Sequence, residues 1–337
     1  MMDIKSSVSL KSYNTFGLEA AAEFFAVAKN SANLANLLSY AKEKSLPVTI
    51  LGGGSNVLIR ADIPGLVIRN EILGIEYKEV GSEVEVIVGA GVMLDDLVAE
   101  TVAKGYWGLE NLSHIPGTVG ATPVQNVGAY GVEVSGLIKD VEVLDKISCK
   151  TQVYSNDECQ FSYRNSVFKT SEGKDKIVTN VTFLLSMLPK PQLEYSGLHT
   201  KLESKNPTQQ EIRNLIVSIR SGKFPDWTKV GTAGSFFKNP IIGNEQYQKL
   251  KNKYLDLPGF SSGDGLMKIP LAWILEHVCN LRNYREGEVG TYEGQALVVV
   301  NYGNATADQI KNFAEDIAQK VFEKTEINIE WEVTKLG

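Results

Sequence analysis

The stretch "LGGGSNVLI", residues 51–59, places three consecutive glycines between two hydrophobic segments. Glycine permits positive φ angles and lets another group come close to main-chain amides, so such a loop can form an anion-binding nest. The stretch is not a Walker loop, which has the pattern G-x-x-x-x-G-K-[ST]. It is not a Rossmann fingerprint either, because that motif is followed by a helix, whereas this stretch is followed by the apolar residues 57–59. On this motif alone, a phosphate-binding loop and a plain hairpin turn both stay open.

Composition is that of an ordinary globular protein. The 337 residues are 43% hydrophobic, and 34 lysines and arginines stand against 40 aspartates and glutamates, for a formal net charge of −6. This length predicts two or three domains. The absence of a basic run argues against nucleic-acid binding. No apolar run reaches the roughly 18 residues of a membrane span. The first residues lack the apolar region of a signal peptide, so we expect a cytoplasmic protein, with a monomer as the default state.

The three cysteines and three histidines have no metal-ligand spacing, so no metal site is predicted. Hydrophobic periodicity predicts strands over residues 47–68 and 83–88, and helices that begin near residues 94, 207, 269 and 306. The terminal "INIEWEV" alternates apolar and polar residues. It therefore predicts a strand with Glu330 and Glu332 on one face.

A second stretch, "GLENLSHIPGTVGATPVQNVGAYG", holds five glycines and two prolines. This density excludes the interior of a helix or strand and predicts an ordered loop, because apolar residues are interspersed. We call residues 52–56 the first glycine loop and residues 108–131 the second glycine loop. One loop suited to phosphates and one suited to a flat ring together predict a dinucleotide ligand such as FAD.

Six segments in order resemble the UDP-N-acetylenolpyruvoylglucosamine reductase (MurB) family: "LGGGSNVLI", "GLENLSHIPGTVGATPVQNVGAYGVE", "SYRNSVFK", "KFPDWTKVGTAGSFFKNP", "QALVVVN" and "IEWEV". The resemblance runs from about residue 16 to residue 333, and the segment "LEYSGL" is similar to the longer branch of the family. It implies an α+β fold with a two-part FAD-binding domain of the vanillyl-alcohol-oxidase/PCMH-like type plus an α+β substrate-binding domain. The implied division is residues 1–72 with 325–337, residues 73–208, and residues 209–324.

The resemblance also implies an activity in peptidoglycan precursor synthesis, and so in cell-wall biogenesis, cell shape and cell division. NADPH would reduce a non-covalently bound FAD, and the flavin would reduce the enolpyruvyl ether of a UDP-sugar nucleotide to the lactyl ether of UDP-N-acetylmuramate. The residues implied to bind FAD are Gly52, Gly53, Gly54, Ser55, Asn56, Pro116, Gly117, Gly120, Ala121, Gln125, Asn126, Gly128, Ala129 and Tyr130.

The catalytic residues implied by the resemblance are Arg164, Ser235 and Glu332. Arg164 suits an enolate-like carboxylate because a guanidinium stays ionised and forks onto two oxygens, and Ser235 is implied as the proton donor. For Glu332, a protonated acid that stabilises the enol and a group that orients Arg164 both stay open, with Glu330 as a rival. The implied substrate-binding residues are Tyr163, Tyr195, Lys223, Asn239 and Gln295.

Two other functions compete with this interpretation. An FAD oxidase acting on an alcohol or lactone could use the same flavin domain, although the first glycine loop has no histidine for a covalent tether. His114 stands in the second glycine loop, where a small or aliphatic residue is expected. A non-catalytic nucleotide-binding module is the second alternative, which the retention of Arg164, Ser235 and Glu332 disfavours.

Overall fold

The structure is a computed structural model that describes residues 3–195, 197–202 and 204–337. The chain divides into two compact units. Unit 1 comprises residues 3–8, Ala21–Gly53 and Ile63–Arg220, and unit 2 comprises Ser9–Ala20, Gly54–Asp62 and Ser221–Gly337. Helices and sheets occur in both units, which confirms the predicted α+β class. The three-part division implied by the resemblance stays a prediction.

Unit 1 is built on two sheets with separate cores. The first sheet has the strand order Lys5–Ser9, Ala21–Ala28, Ile63–Asn70, Val48–Leu51, and its last three strands run parallel. The helix Ser31–Glu43 covers this sheet because four of its apolar residues recur every three to four positions and are buried: Leu34, Leu37, Leu38 and Ala41. The Asn30 side chain caps this helix by accepting a hydrogen bond from the Asn33 N–H at 2.8 Å.

The second sheet of unit 1 is antiparallel, in the order Thr151–Ser155, Ile138–Asp145, Lys176–Ser186, Glu83–Gly89, Ile75–Val80. The helix Leu94–Lys104 adds its apolar side to the core of this sheet and ends at Gly105, whose φ of 78° suits glycine. Further elements of unit 1 are the hairpin Gly128–Ala129 and Val132–Glu133, the helix Leu198–Lys201 and the 3₁₀ turns Glu110–Leu112, Val119–Ala121, Val134–Gly136 and Val167–Lys169. The helix Gln209–Lys223 begins in unit 1.

Unit 2 contains three small sheets around one core. The sheets have the orders Gly231–Ser235, Gln295–Asn301, Val289–Tyr292, Arg285–Glu286; Ile241–Gly243, Leu266–Lys268, Phe260–Ser261; and Thr334–Leu336, Val57–Ile59. The helices are Asn244–Lys253, Leu271–Trp273 continuing as a π turn over Ile274–Val278, and Ala307–Thr325, with a 3₁₀ turn at Lys11–Tyr13. Thr306 caps the last helix as predicted, since its hydroxyl accepts the Gln309 N–H and the Gln309 side chain accepts the Thr306 N–H.

The prediction of a strand over "INIEWEV" is wrong. Its apolar residues Ile327 and Val333 are buried, as the alternation indicates, but the segment makes only one isolated bridge, between Trp331 and Phe237. Alternation reports which side chains face a core and does not report whether a partner strand runs alongside. The strand at this end of the chain begins later, at Thr334.

In the part of the chain that the structure describes, no helix combines the length and the apolar character needed to cross a membrane. Over the same residues, no group of three or more His, Cys, Asp and Glu side chains is placed to hold a metal ion.

Candidate active-site residues

The two glycine loops meet in unit 1. A Cβ atom added at Gly52 would lie 2.7 Å from the hydroxyl oxygen of Thr118, and one added at Gly53 would lie 2.9 Å from the Cα of Gly117. Real Cβ atoms do not come so close to main chain, so Gly53 requires glycine at this approach, whereas at Gly52 the Thr118 side chain would have to move. The structure therefore brings together the two loops that the sequence predicted to bind one dinucleotide.

The remainder of the first glycine loop lies in unit 2 and is bonded to the C-terminal segment. Gly54 has a φ of 66° and its carbonyl accepts the Thr15 N–H at 3.1 Å. The Asn56 side-chain amide donates to the Glu332 carbonyl at 3.1 Å, and the Asn56 carbonyl accepts the Thr334 N–H at 3.0 Å. These bonds fix the main chain of Glu332 beside the end of the glycine loop.

The second glycine loop is ordered by its own main-chain and side-chain bonds. Gly117 has a φ of 111°, and a Cβ at Gly120 would lie 2.6 Å from that of Ala90, so the loop packs closely against the residue that follows the strand Glu83–Gly89. The buried Asn126 donates to the Glu133 carboxylate at 2.8 Å and to the Ser162 carbonyl at 3.1 Å. The other members predicted to bind FAD lie along the same loop: Pro116, Ala121, Gln125, Gly128, Ala129 and Tyr130.

The residues present fit FAD. The glycines offer main-chain amides that a pyrophosphate can approach closely. In the second glycine loop, Glu110 Oε1 and Asn111 Oδ1 are buried without a hydrogen-bond partner among the described residues, so the loop offers polar atoms to a ligand or to water. Burial raises the pKa of the Glu110 carboxyl, although the Gly108 N–H and its own N–H partly offset this effect.

Two of the three cysteines are poorly suited to attach a flavin covalently. Burial raises the pKa of the Cys159 thiol to about 12, and burial also raises the pKa of Cys279. Neither cysteine is therefore a thiolate at neutral pH. His114 is exposed. Its main-chain N–H donates a hydrogen bond to Asp95, and its main-chain carbonyl accepts one from Arg220.

Arg164 occupies a tight turn of unit 1 with a φ of 53°. Its Nη2 donates to the Gly128 carbonyl at 3.0 Å, and its guanidinium carbon lies 5.5 Å from the centre of the Tyr163 ring. Lys169 donates to the Arg164 carbonyl at 3.0 Å. These contacts hold the guanidinium at the second glycine loop, which is what a preorganised anion-binding group requires.

Ser235 ends the strand Gly231–Ser235 and lies opposite Val298 on the neighbouring strand. Phe236 and Phe237 follow it and are almost completely buried, so the main chain at Ser235 is firmly anchored. Gly234, with a φ of 75°, makes the irregularity in pairing that turns the strand here. Across the residues that the structure describes, no protein group makes a hydrogen bond with the Ser235 hydroxyl.

The main chain of Glu332 is bonded to the segment that follows Ser235 in unit 2. The Glu332 N–H donates to the carbonyl of Phe236, the residue after Ser235, at 2.9 Å. Its rival Glu330 is exposed and forms an ion pair with Lys238 at 2.8 Å. The main chain of Glu332 is thus bonded to the residue after Ser235, while the side chain of Glu330 is paired with Lys238.

The predicted substrate-binding residues fall into the two units. In unit 2, Gln295 begins the strand that pairs with that of Ser235, and Asn239 accepts the Leu271 N–H at 2.9 Å through its side-chain oxygen. Lys223 ends the helix Gln209–Lys223. In unit 1, the residue Tyr195 is 46% exposed, and its ring meets the Tyr130 ring edge to face with the ring centres 5.4 Å apart. Tyr163 flanks Arg164.

Sequence reasoning missed Arg220. Its Nε donates to the His114 carbonyl at 2.9 Å, and its side chain also bonds the Tyr130 hydroxyl. Burial lowers the pKa of Arg220, but a guanidinium remains charged in proteins. Burial raises the pKa of the Tyr130 hydroxyl, and the charge of Arg220 partly offsets this rise. The available signal was position, because Arg220 stands three residues before Lys223 in a segment already assigned to the site.

Comparison with known proteins covers almost all of the chain. A model of an FAD binding domain matches residues 22–145, and a model of the UDP-N-acetylenolpyruvoylglucosamine reductase C-terminal domain matches residues 226–336. These matches confirm the FAD-binding domain and the second domain of the predicted fold. The crystal structure of MurB from Thermus caldophilus has the same fold, with a TM-score of 0.67 and 24% sequence identity over 100% of both chains.

Curated relatives are similar over the same length. The chain is 38% identical to UDP-N-acetylenolpyruvoylglucosamine reductase of Pseudomonas fluorescens strain Pf0-1, over 98% of each sequence. It is 39% identical to the reductase of that name from Chromobacterium violaceum, over 98% of each, and 38% identical to that of Porphyromonas gingivalis strain W83, over 98% of this chain and 99% of the relative. On these matches and on the two domain models, the chain belongs to the UDP-N-acetylenolpyruvoylglucosamine reductase family.

Proposed function

We propose that NADPH is the hydride source of this chain. As a member of its family, the chain is an FAD-dependent reductase that converts the enolpyruvyl ether of UDP-N-acetylglucosamine to the lactyl ether of UDP-N-acetylmuramate, a step of peptidoglycan precursor synthesis. When bound, FAD supplies hydride to the vinyl carbon of the substrate. The finer assignments proposed here are a cytoplasmic monomer, the residue roles that follow, and NADPH itself.

Arg164 is proposed to bind the substrate's carboxylate as negative charge develops on it. Adding hydride to the vinyl carbon pushes electrons into the carboxylate, which becomes enolate-like. The guanidinium donates two parallel hydrogen bonds to such a group and stays charged at any working pH. Its bond to the Gly128 carbonyl fixes it in advance, so little reorganisation is needed when the charge forms.

Ser235 is proposed to hold the proton that completes the reduction. The enolate carbon is basic enough to take a proton from a neutral hydroxyl, provided that the hydroxyl is aimed at it. The buried Phe236 and Phe237 fix the main chain at Ser235, and its hydroxyl forms no bond to another described residue. This anchored and available hydroxyl is the single observation that most supports the proposed chemistry.

Glu332 is proposed to stabilise the protonated enol from the position that its main-chain bond to Phe236 gives it. That bond joins its main chain to the residue that follows the proposed acid Ser235, and this role is proposed ahead of that of an orienter of Arg164. Glu330 is not proposed for this role, because it is exposed and paired with Lys238.

Binding of the ligands is assigned to the residues that the sequence predicted. The two glycine loops would hold FAD through main-chain groups, and Lys223, Asn239 and Gln295 would hold the UDP-sugar, with Tyr163 and Tyr195 as aromatic walls. The amide nitrogen of Asn239 supports this assignment, since among the described residues only its oxygen has a partner. FAD is proposed to be bound without a covalent link.

The experiment that tests this function supplies purified protein with NADPH and the enolpyruvyl sugar nucleotide without oxygen. The proposal expects one NADPH consumed for each product molecule, with a product two hydrogens heavier than the substrate by mass spectrometry. NADPH consumption only in the presence of oxygen, with hydrogen peroxide and no reduced sugar, would favour the oxidase alternative. Reduction of the sugar nucleotide with NADH but not with NADPH would overturn the cosubstrate assignment alone.

A further inference from the structure

His114 in the second glycine loop is held on both of its main-chain polar groups by charged side chains. Its N–H donates to the Asp95 carboxylate at 2.6 Å, and its carbonyl accepts from Arg220 Nε at 2.9 Å. Its φ is 60°, a left-handed conformation that is costly for a residue other than glycine. Such a conformation persists only where the surroundings determine it, and here two charged groups do so.

Asp95 is itself held by a second arginine. Arg213 forks onto it, with Nη1 to Oδ1 at 2.6 Å and Nη2 to Oδ2 at 3.1 Å. Arg213 and Arg220 lie seven residues apart on the helix Gln209–Lys223, so they lie near one face, two turns apart. Partial burial alone would raise the pKa of Asp95, but the bonds from Arg213 and from the His114 N–H lower it overall, which keeps the carboxylate ionised.

The same place in the fold also fixes Gly117, three residues after His114. The main-chain N–H of Leu94, next to Asp95, donates to the Gly117 carbonyl at 3.0 Å. Gly117 is the residue that lies against Gly53 of the first glycine loop. The start of the helix Leu94–Lys104 therefore sets both ends of the segment that determines how the two glycine loops meet.

We propose that Asp95 and Arg213 are a positioning pair that holds the second glycine loop in its FAD-binding conformation before FAD arrives. The inference rests on the proposed function, in which the two glycine loops bind FAD. Neither residue is assigned a contact with FAD or substrate. The pair raises FAD affinity because the apoprotein does not have to order the loop during binding.

The test measures FAD binding to apoprotein by quenching of flavin fluorescence, with the thermal unfolding of each apoprotein measured in parallel. Asp95→Asn and Arg213→Met should each raise the Kd for FAD by about 10-fold or more, since the competent loop conformation becomes a minor one. Arg213→Lys should give an intermediate Kd, because lysine keeps the charge and loses the fork. In the double variant, the Kd for FAD should rise by less than the product of the two single-variant increases, because both changes remove the same interaction.

Asp96→Asn is the matched control, since Asp96 is exposed and adjacent to Asp95 on the same helix. Its Kd should equal that of the wild type. Unchanged Kd values in both Asp95→Asn and Arg213→Met, or an equal loss in Asp96→Asn, would overturn the pair while leaving the FAD site in place. A wild-type apoprotein that does not bind FAD would overturn the proposed FAD site itself.

Discussion

Ser235 is the residue on which the proposed chemistry most depends, because protonation completes the reduction of the sugar nucleotide but has no part in the oxidation of NADPH. We predict that Ser235→Ala separates the two half-reactions. Rapid mixing with NADPH should bleach the flavin absorbance at a near-normal rate. Recovery of the band on adding the enolpyruvyl substrate should slow by about 10²–10⁴-fold, which is the usual contribution of a positioned general acid.

Two further variants make this test specific. Ser235→Cys should recover faster than Ser235→Ala, since a thiol can supply a proton from nearly the same place. Ser262→Ala removes the hydroxyl of an exposed serine in unit 2 and should behave as wild type. If Ser235→Ala recovers at the wild-type rate, Ser235 is not the acid, and Glu332 or a bound water takes that role.

Asp145 illustrates a residue that stabilises the fold without a proposed part in the chemistry. A hydrogen bond from Lys176 at 2.6 Å, together with bonds from the Ser148 N–H and hydroxyl, holds the pKa of the buried Asp145 well below its usual range. Asp145→Asn should lower the free energy of unfolding at pH 7 by about 2–3 kcal/mol, since bonds to a charged group are worth roughly this much.

The pH dependence of this effect has a definite sign. Because the folded state lowers the pKa of Asp145, its stabilisation is complete above the unfolded value of about 3.9 and is lost as pH falls toward the folded value. Urea unfolding at pH 7, 5 and 3 should therefore show nearly equal gaps between wild type and Asp145→Asn at pH 7 and 5, and a smaller gap at pH 3. Asp157→Asn, at an exposed position, should show no gap, and a gap that widens in acid would contradict the assignment.

At the level of elements, the close approach of the two glycine loops gives a direct prediction. Gly53→Val would place side-chain carbons against the Cα of Gly117, where an added Cβ already lies at 2.9 Å. The loops must then separate, and the purified variant should contain little or no FAD by absorbance while its circular dichroism stays that of a folded protein. Gly136→Val is the control, because nothing lies within 4 Å of a Cβ there. Full FAD occupancy in Gly53→Val would contradict the phosphate-loop assignment.

The elements also show what the sequence could and could not predict. The helix behind Thr306 was predictable because its capping box and its apolar stripe are both local signals. The segment "INIEWEV" was not, since its single bridge to Phe237 depends on a partner almost a hundred residues away. The pair Asp95 and Arg213 was hidden for the same reason, as the two residues are 118 positions apart and neither belongs to a recognisable motif.

At the scale of the whole molecule, one set of cations near Lys223 is proposed to serve the diphosphates of both NADPH and the sugar nucleotide in turn. Initial-rate plots should then give parallel lines, with inhibition by excess substrate. Lys223→Ala should mainly raise KM for the sugar nucleotide, because a contact far from the reacting carbon binds ground state and transition state alike. Lys249→Ala, at an exposed site of unit 2, is the control and should change neither constant. Intersecting lines would reject a shared site.

The overall plan was predictable because six motifs in order resemble one family, and the domain matches agree with them. The active-site residues were predicted in the same way, by their place within motifs such as "GSFFKNP" and "IEWEV". What no motif shows is how a side chain is held. The pairing of Glu330 with Lys238 and the double anchoring of His114 depend on contacts that only the folded chain reveals.

The central claim is that this chain transfers hydride to an enolpyruvyl sugar nucleotide and not to oxygen. Its most direct test is a rapid-mixing measurement on protein whose flavin has been bleached with one equivalent of NADPH. The absorbance band should return much faster with UDP-N-acetylglucosamine enolpyruvate than with air-saturated buffer, and one equivalent of UDP-N-acetylmuramate should form. Equal or faster return with air, without formation of the reduced sugar nucleotide, would contradict the account.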